Sequence, residues 1–429
     1  MRSAKFTRLL TFLSVVALIS FLLYSIVPST GQLSCPLLKK TGLQNRKMSS
    51  NNTSYCWALI GNNNPALLSK ETAAGIQIKT FSLSWKKVYP AKGVLDSSYL
   101  ERKVSELNQL YQSGFEVILL LGYHDVPGWV HEEYADSYYI NQYGDRYEDP
   151  DNAGDANLVY NPVLQKLTED YIQTIFSYFG TNFVAVRIGG GRYGELTYPP
   201  AEYANKTNCY WAFDQNAIAK SPVQGWRPGD PSPAGEATKF LDTYLDTLVD
   251  YQNWQITTVR KSYAGWIMVL YPSWGIRPGD EDAAIQGNLS GSTSAEKNGE
   301  IQRGYDFARQ VMAIDDSNVM ITTTWLDADA SADNSPDLRY WSPVKYLAYL
   351  ANRHPLSPPL FGENTGKGTR AEMELSSAQM ERYNLVGMAW YNEIELFSGQ
   401  YAKLEDYRRV ILKHSNLFRS YWLLLQSKS

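Results

Sequence analysis

One pattern limits the possible folds more than any other: short apolar runs alternate with longer amphipathic segments along most of the sequence. Short apolar runs are typical of buried strands, whereas apolar residues spaced three and four positions apart are typical of helices. Eight strand-like runs are present, and a helical pattern follows each of them. The runs are Tyr55–Ile60, Ile76–Leu83, Phe115–Leu121, Phe183–Ile188, Gly265–Leu270, Asn318–Thr323, Pro359–Phe361 and Leu385–Trp390.

The helical segments predict how these strands are connected. They span residues 65–73, 98–113, 162–179, 234–261, 299–312, 343–351, 376–383 and 403–425. Alternating strands and helices favour a parallel sheet that is buried on both faces. Eight such units in about 375 residues fit an α/β fold, the (β/α)8 TIM barrel. An open doubly wound sheet is the alternative, although the first unit lacks the G-x-G-x-x-G pattern of its dinucleotide-binding members.

The amino terminus carries a targeting signal. Three basic residues precede an uncharged apolar run over residues 9–27, whose length lies between a signal-peptide core and a spanning helix. Residues 1–30 are therefore predicted to be a signal peptide or a signal anchor, with residues 31–54 as a polar linker and residues 55–429 as the barrel domain. Both alternatives place the domain outside the cytoplasm, either secreted or anchored to the membrane.

Composition excludes several classes of function. The net charge of −4 gives no basic footprint for nucleic acid. The four His and three Cys are scattered, so we expect no metal site, and no cofactor is required. The 31 Tyr and 12 Trp outnumber the 14 Phe, and such amphipathic rings suit ligands with flat apolar faces, such as sugars. The pairing of Cys35, Cys56 and Cys209 and the oligomeric state stay open.

Two glutamates follow strands of the predicted barrel. Glu195 comes after the fourth strand and Glu363 after the seventh, and active sites of this fold lie at the carboxyl ends of the strands. Glycoside hydrolysis needs one carboxylic acid to protonate the leaving oxygen and a second carboxylate to activate water or attack the sugar. Glu195 and Glu363 are therefore the predicted catalytic residues of a glycosidase.

Further side chains at the same strand ends are candidates for binding the oligo- or polysaccharide substrate. Each also has a simpler explanation, either packing in the core or pairing with a neighbour. Glu393 and Glu395 lie on an apparent extension of the eighth strand, where one of them is expected to face the barrel mouth. The predicted substrate-binding residues are Trp85, His124, Asp125, Trp129, Arg192, Tyr193, Trp274, Thr324, Asp327, Asn364 and Trp390.

The segments around the two glutamates resemble a known family. Gly194-Glu195-Leu-Thr-Tyr-Pro199 is similar to the Gly-Glu-Leu-Arg-Tyr-Pro run of β-amylases, and Gly362-Glu-Asn364 is similar to their Gly-Glu-Asn segment. The resemblance implies that Glu195 is a general acid and Glu363 a general base. It also matches His124 to a glucose-binding histidine and Thr324 to a threonine of the sixth-strand loop.

The chain also departs from that family. β-Amylases have a binding aspartate after the second strand, near the place of Ser82, and a long mobile loop with another aspartate after the third strand. The segment after the third strand is too short here to hold that loop. The resemblance therefore implies the catalytic pair more strongly than specificity for starch.

A second resemblance points to retaining barrel glycosidases, including bacterial β-galactosidases. Trp85, Pro90 and Gly93 match their W-x4-P-x2-G turn, but Gly194 stands where those enzymes have an Asn before the acid. We expect a β-amylase-like, inverting glycoside hydrolase. The alternatives are a retaining exo-glycosidase with Glu363 as nucleophile and a non-catalytic carbohydrate-binding protein on a glycosidase barrel.

Overall fold

The structure is a computed structural model that describes Cys35 and residues 55–148 and 155–414. The predicted leader, with its apolar run over residues 9–27, lies outside these residues, as does nearly all of the predicted linker. Within the described ranges, no helix combines the length and the apolar composition that crossing a membrane requires.

The strands form a closed parallel barrel, which confirms the predicted fold class. Each strand pairs with the next, and the last closes on the first, with Ala389 opposite Ala58. All eight predicted strands are present, and their ends lie within about two residues of the predicted ones. The strands are β1 Cys56–Ile60, β2 Ile78–Ser82, β3 Glu116–Leu120, β4 Ala185–Ile188, β5 Trp266–Tyr271, β6 Val319–Thr323, β7 Leu360–Glu363 and β8 Gly387–Tyr391.

Helices connect the strands and form the outer layer. Pro162–Phe179 spans the predicted residues, because Asn161 caps its first turn and Gly180 follows its last residue. The helix predicted at 376–383 begins earlier, at Arg370, where Thr369 and Glu372 form a capping box. The helices are α1 Leu68–Ala74, α2 Trp85–Val88, α3 Ser97–Gln112, α4 Gly128–Glu133, α5 Pro162–Phe179, α6 Gln215–Lys220, α7 Glu236–Arg260, α8 Asp280–Gln286, α9 Ser294–Lys297, α10 Phe307–Met312, α11 Pro343–Arg353, α12 Arg370–Arg382, α13 Glu393–Ser398 and α14 Leu404–Lys413.

The interior of the barrel fixes which side chains reach its mouth. A buried apolar cluster takes at least one residue from every strand, including Ala185 of β4 and Phe361 of β7. Side chains alternate along a strand, so residues two positions further on share the inward face. Arg187 and Glu363 follow these two core residues and therefore point inward, one layer nearer the carboxyl end.

The floor of the barrel holds a disulfide between Cys35 and Cys56. Cys56 begins β1, and both cysteines are fully buried in the same apolar cluster as Ala58. The predicted linker over residues 31–54 is therefore bonded to the barrel at Cys35. The bond lies at the pole where the strands begin, opposite their carboxyl ends. Cys209 is buried and carries no disulfide.

Replacing Cys35 with serine is expected to lower the free energy of unfolding by about 3 kcal/mol, because the bridge closes a chain segment of 21 residues in the unfolded state. Urea unfolding followed by circular dichroism measures this change. A reductant is expected to lower the unfolding midpoint of the unsubstituted protein and not that of the variant, since Cys209 is unbonded. Equal sensitivity of both proteins to reductant would contradict the prediction.

Two long insertions, residues 200–234 and 276–300, follow β4 and β5 and lie at the carboxyl ends of the strands. They contact each other, since the Asn208 side chain donates to the Leu289 carbonyl at 2.9 Å. The Tyr210 hydroxyl also donates to Glu296 at 3.3 Å. The insertions therefore form a shared wall on the side of the barrel that carries the glutamates.

Candidate active site

The loop after β4 is held close to the barrel by glycine. A Cβ on Gly189 would lie 2.1 Å from the Gly194 carbonyl oxygen, and one on Gly190 would lie 2.1 Å from the Tyr251 hydroxyl. Gly190 also has a φ of 84°, a left-handed conformation that favours glycine. The Gly191 amide donates to the Glu195 carbonyl at 2.9 Å and closes the loop. This turn places the Glu195 side chain where it interacts with Glu363 and Thr324.

Burial raises the pKa of Glu195 to about 7, and the nearby negative charge of Glu363 contributes in the same direction. The guanidinium groups of Arg303 and Arg187 and the Thr324 side chain oppose this shift. A carboxyl group with such a pKa still carries its proton in a large share of molecules near neutral pH. Glu195 can therefore act as a proton donor.

Glu363 is the last residue of β7, and its side chain pairs with Arg187 of β4. The Arg187 Nη1 atom lies 2.9 Å from the Glu363 Oε2 atom, and each side chain is about a tenth exposed. Burial raises the pKa of Glu363, while the charge and the hydrogen bond of Arg187 lower it. The ion pair thus favours the ionised form of Glu363 in a desolvated place.

The two carboxyl groups therefore have unequal surroundings. Glu363 has a guanidinium partner, and its charge raises the pKa of Glu195. Such an asymmetry favours Glu195 as the group that carries a proton and Glu363 as the carboxylate that can accept one. This is the division of labour that cleavage of a glycosidic bond requires.

The activity is expected to fall as the pH rises through about 7, since burial raises the pKa of Glu195 to about 7 and an ionised Glu195 cannot donate a proton. On the acidic side, activity falls when Glu363 becomes protonated. The pH dependence of kcat/KM measures both limbs. A rate that stays constant between pH 6 and about pH 9 would contradict the assignment of Glu195 as the acid.

His124 lies next to the loop after β4 that carries Glu195. The site of a Cβ on Gly194 is 3.5 Å from its Cε1 atom, so the imidazole packs against that loop. Burial lowers the pKa of His124 to about 4, with Arg187 and Lys86 adding to the shift and Asp125 opposing it. His124 is therefore a neutral hydrogen-bonding group at neutral pH.

Two of the predicted binding residues, Asp125 and Asp327, connect neighbouring loops. Asp125 accepts from the Ser84 hydroxyl and lies 2.5 Å from Lys86, which joins the loops after β2 and β3. Asp327 accepts from the amide and the hydroxyl of Thr365 at 3.0 and 2.9 Å. These carboxylates stabilise the loops that surround the glutamates, and both already have partners in the protein.

Asn364 has a similar structural role. Its side chain donates to the Tyr391 carbonyl at 2.9 Å and accepts from the Tyr391 amide at 2.6 Å. Because Asn364 follows Glu363 directly, this contact fixes the end of β7 against the end of β8. The Gly-Glu-Asn segment therefore places Glu363 through the asparagine that follows it.

Two of the predicted aromatic contacts are corrected by the structure. Trp85 and Trp390 are each 1% exposed and face the helix layer. Trp85 stacks on Tyr171 of α5, and Trp390 lies against Tyr407 of α14. Both rings pack in the core between strands and helices, where a sugar cannot reach them.

The ring that enters the mouth from β8 is Tyr391, which the sequence analysis missed. It is 44% exposed and follows the inward-facing Ala389 by two positions. Strand alternation was the signal that could have found it, because Trp390 has the opposite parity. Arg187 was missed for the same reason, since its position two residues after Ala185 makes it an inward-facing charge.

The other predicted residues lie around the same mouth. Trp129 is half-buried and donates to the Tyr89 carbonyl at 2.9 Å. Trp274 and Trp325 form an edge-to-face pair, with centroids 6.4 Å apart, on the loops after β5 and β6. Thr324 is buried beside Glu195. The Arg192 guanidinium lies over the ring of Tyr193, which is 69% exposed.

The expected strand extension after β8 is wrong, because Asn392 caps a helix there and both glutamates lie on α13. Glu393 is 2% exposed and pairs with Lys79 of β2 at 3.0 Å. It also accepts from the Asn63 amide at 3.0 Å. Glu393 therefore links the loop after β1 and the body of β2 to the segment after β8. No group of His, Cys, Asp and Glu in the described part of the chain could hold a metal ion.

Comparisons with known proteins agree with this fold. No family model and no curated protein sequence matches the chain. Among solved structures, the catalytic domain of a β-amylase from Paenibacillus polymyxa superposes with a TM-score of 0.63 at 16% sequence identity. The match covers 84% of this chain and 98% of that one.

Two β-galactosidases superpose as well. The enzyme from Halorubrum lacusprofundi has a TM-score of 0.52 at 12% identity, and the match covers 83% of this chain and 57% of that one. The enzyme from Marinomonas ef1 has a TM-score of 0.51 at 12% identity, and the match covers 86% of this chain and 60% of that one. The chain thus spans less than two thirds of each β-galactosidase, and it has the barrel fold found in these glycosidases.

Proposed function

We propose that the protein is a glycoside hydrolase that cleaves O-glycosidic bonds of an oligo- or polysaccharide by single displacement. One observation carries the proposal: two desolvated carboxyl groups at the barrel mouth interact electrostatically, and the Arg187 guanidinium forms an ion pair with Glu363. Glu195 donates a proton to the glycosidic oxygen. Glu363 removes a proton from the water that attacks the anomeric carbon, and the configuration of that carbon is inverted.

The surroundings of the pair support this chemistry. The site is buried enough to raise the pKa of Glu195, and the mouth carries exposed or half-buried rings such as Tyr193, Tyr391 and Trp274. Rings of this kind stack on the apolar faces of sugars, while neutral His124 can exchange hydrogen bonds with their hydroxyl groups. The likeness to a β-amylase catalytic domain makes α-linked glucans the first substrates to test.

Incubating the purified full-length protein with soluble starch, maltoheptaose, lactose and β-1,4-galactan tests the substrate assignment. Release of reducing sugar from the two glucans is the expected result. Release from lactose or galactan alone would replace the β-amylase-like assignment with a β-galactoside specificity. No release from any of the four glycans by the folded protein would contradict glycosidase activity on these substrates.

A retaining β-galactosidase-like activity is the second candidate. The turn from Trp85 to Gly93 and the superposition on two β-galactosidases favour it. In that mechanism Glu363 attacks the sugar and forms a covalent glycosyl-enzyme. Mass spectrometry of the acid-quenched protein during turnover distinguishes the two, because only the retaining route adds a hexosyl mass to the peptide that contains Glu363.

We also propose that the domain acts outside the cytoplasm. The buried disulfide between Cys35 and Cys56 supports this location, because disulfides persist mainly in oxidising compartments. The apolar run over residues 9–27 would then act as the secretion signal or the anchor. Cell fractionation with an antibody against the barrel tests the proposal, and recovery of the protein in the cytosol with free Cys35 and Cys56 would contradict it.

A further inference from the structure

The backbone of Tyr193 has a conformation that its side chain does not favour. Its φ and ψ are 61° and 14°, in the left-handed region, between Gly191 and Gly194. Glycine and asparagine adopt this region readily, whereas a bulky side chain there is an outlier. The geometry of the loop alone would therefore favour a glycine or an asparagine at position 193.

Packing within the protein does not account for the tyrosine either. Its ring is 69% exposed, so little apolar area is buried in return for the unfavourable backbone. The Arg192 guanidinium carbon lies 4.9 Å from the ring centroid, on the neighbouring residue of the same turn. Conformational strain without compensating burial is typical of residues that serve a ligand.

The position of the ring indicates which ligand it serves. Tyr193 stands two residues before Glu195 and lines the cavity that His124 and Arg187 also line. Arg187 in turn contacts Glu363 at 2.9 Å. The cavity that Tyr193 lines therefore adjoins the carboxyl pair through Arg187. The Tyr193 ring offers this cavity an aromatic surface of a kind that binds sugar rings.

We propose that Tyr193 is the stacking platform for a pyranose ring of the substrate, in the position adjacent to the bond that is cleaved. The inference rests on the proposed function and specifies its site: a ring with an apolar C–H face lies on Tyr193 while its hydroxyl groups face His124. The Arg192 guanidinium carbon lies 4.9 Å from the centroid of the same ring. Tyr193 thus contributes to substrate affinity, whereas Glu195 and Glu363 carry the reaction.

Replacing Tyr193 with glycine tests the proposal because glycine suits the backbone and lacks the ring. The expected result is a KM that rises about fivefold to tenfold, with kcat changed less than about twofold. The midpoint of thermal unfolding is expected to stay the same or rise, since the left-handed backbone is no longer strained. Tyr193→Phe and Tyr193→Trp keep an aromatic face, so their KM is expected to stay within about twofold.

Tyr178→Ala is the matched control. Tyr178 is 46% exposed on the last turn of α5, which precedes β4 and lies at the opposite pole of the barrel. A KM for Tyr193→Gly within about twofold of the unsubstituted protein would overturn the proposal. So would a KM equally raised in Tyr193→Phe and Tyr193→Gly, because the hydroxyl and not the ring would then be required. A large fall in the unfolding midpoint of Tyr193→Gly would overturn it as well.

Calorimetric titration with maltoheptaose and β-1,4-galactotetraose separates this inference from the proposed function. Weaker binding of a glycan by Tyr193→Gly than by the unsubstituted protein supports the platform, even if that glycan is never cleaved. In that case the proposed reaction is contradicted and the platform is not. Cleavage with unchanged affinity in Tyr193→Gly supports the reaction and overturns the platform. Binding of neither glycan by the unsubstituted protein overturns the platform for both substrate classes.

Discussion

Replacing Glu195 with glutamine is expected to lower kcat about a thousandfold, because the amide keeps the shape of the side chain but cannot donate a proton to the leaving oxygen. KM is expected to change much less, since Glu195 is proposed to act mainly in the transition state. The pKa of Glu195, raised first by burial and then by the Glu363 charge, keeps a proton on this proposed donor in a large share of molecules at neutral pH. Steady-state kinetics on the cleaved glycan measure the change.

Glu202→Gln serves as the control for this substitution. Glu202 is an exposed glutamate seven positions further along the same loop, so its replacement removes a similar charge without touching the carboxyl pair. Its kcat is expected to stay within about twofold of that of the unsubstituted protein. Equal kinetics for Glu195→Gln and the unsubstituted protein would show that another group supplies the proton.

Replacing Arg187 with methionine is expected to lower kcat/KM at pH 6 by about a hundredfold and to move the acidic limb of the pH profile upward by about one to three units. The ion pair at 2.9 Å lowers the pKa of Glu363 against the effect of burial. Without it, the carboxylate is desolvated and unpaired, and it stays protonated to higher pH. Glu363 must be ionised to accept a proton, so activity appears only above that higher pKa.

Arg187→Lys separates charge from packing. Lysine retains the positive charge without the planar guanidinium, so the acidic limb is expected to lie between those of the methionine variant and the unsubstituted protein. A uniform loss of kcat/KM at every pH, with both limbs unchanged, would mean that Arg187 supports the barrel structure and does not tune Glu363.

The barrel could be predicted because its signals are local. Each strand is a short apolar run, and long helices such as α5 have local caps, as Asn161 and Gly180 show. The short helices of the loops were missed because their turns depend on contacts made after folding. For example, Glu296 of α9 accepts from Tyr210 of the other insertion, 86 positions away.

The two glutamates could be placed at the barrel mouth because their strands were identified. The contact that distinguishes them could not be predicted, since Arg187 and Glu363 are 176 positions apart. Strand parity was available in the sequence, and it would have favoured Tyr391 over Trp390. Burial determines whether an aromatic residue can contact a ligand, and the sequence does not show it. Trp85 follows a strand end but turns into the helix layer, where it is 1% exposed.

The disulfide illustrates a different limit. Three cysteines allow three pairings, and Cys35 lies in a polar segment whose sequence gives no sign of burial. Only the closed barrel shows that the side chain of Cys56 faces the interior floor, where Cys35 can meet it. Long-range geometry of this kind is fixed by the whole fold and not by a local pattern.

Proton NMR of the first sugar released from maltoheptaose, recorded within the first minutes of hydrolysis, tests the central claim most directly. A single displacement by Glu195 and Glu363 predicts that the α-linked substrate yields the β-anomer first, followed by slow mutarotation. An initial α-anomer would contradict the claim. It would show that the configuration is retained and that Glu363 acts as a nucleophile instead of a base.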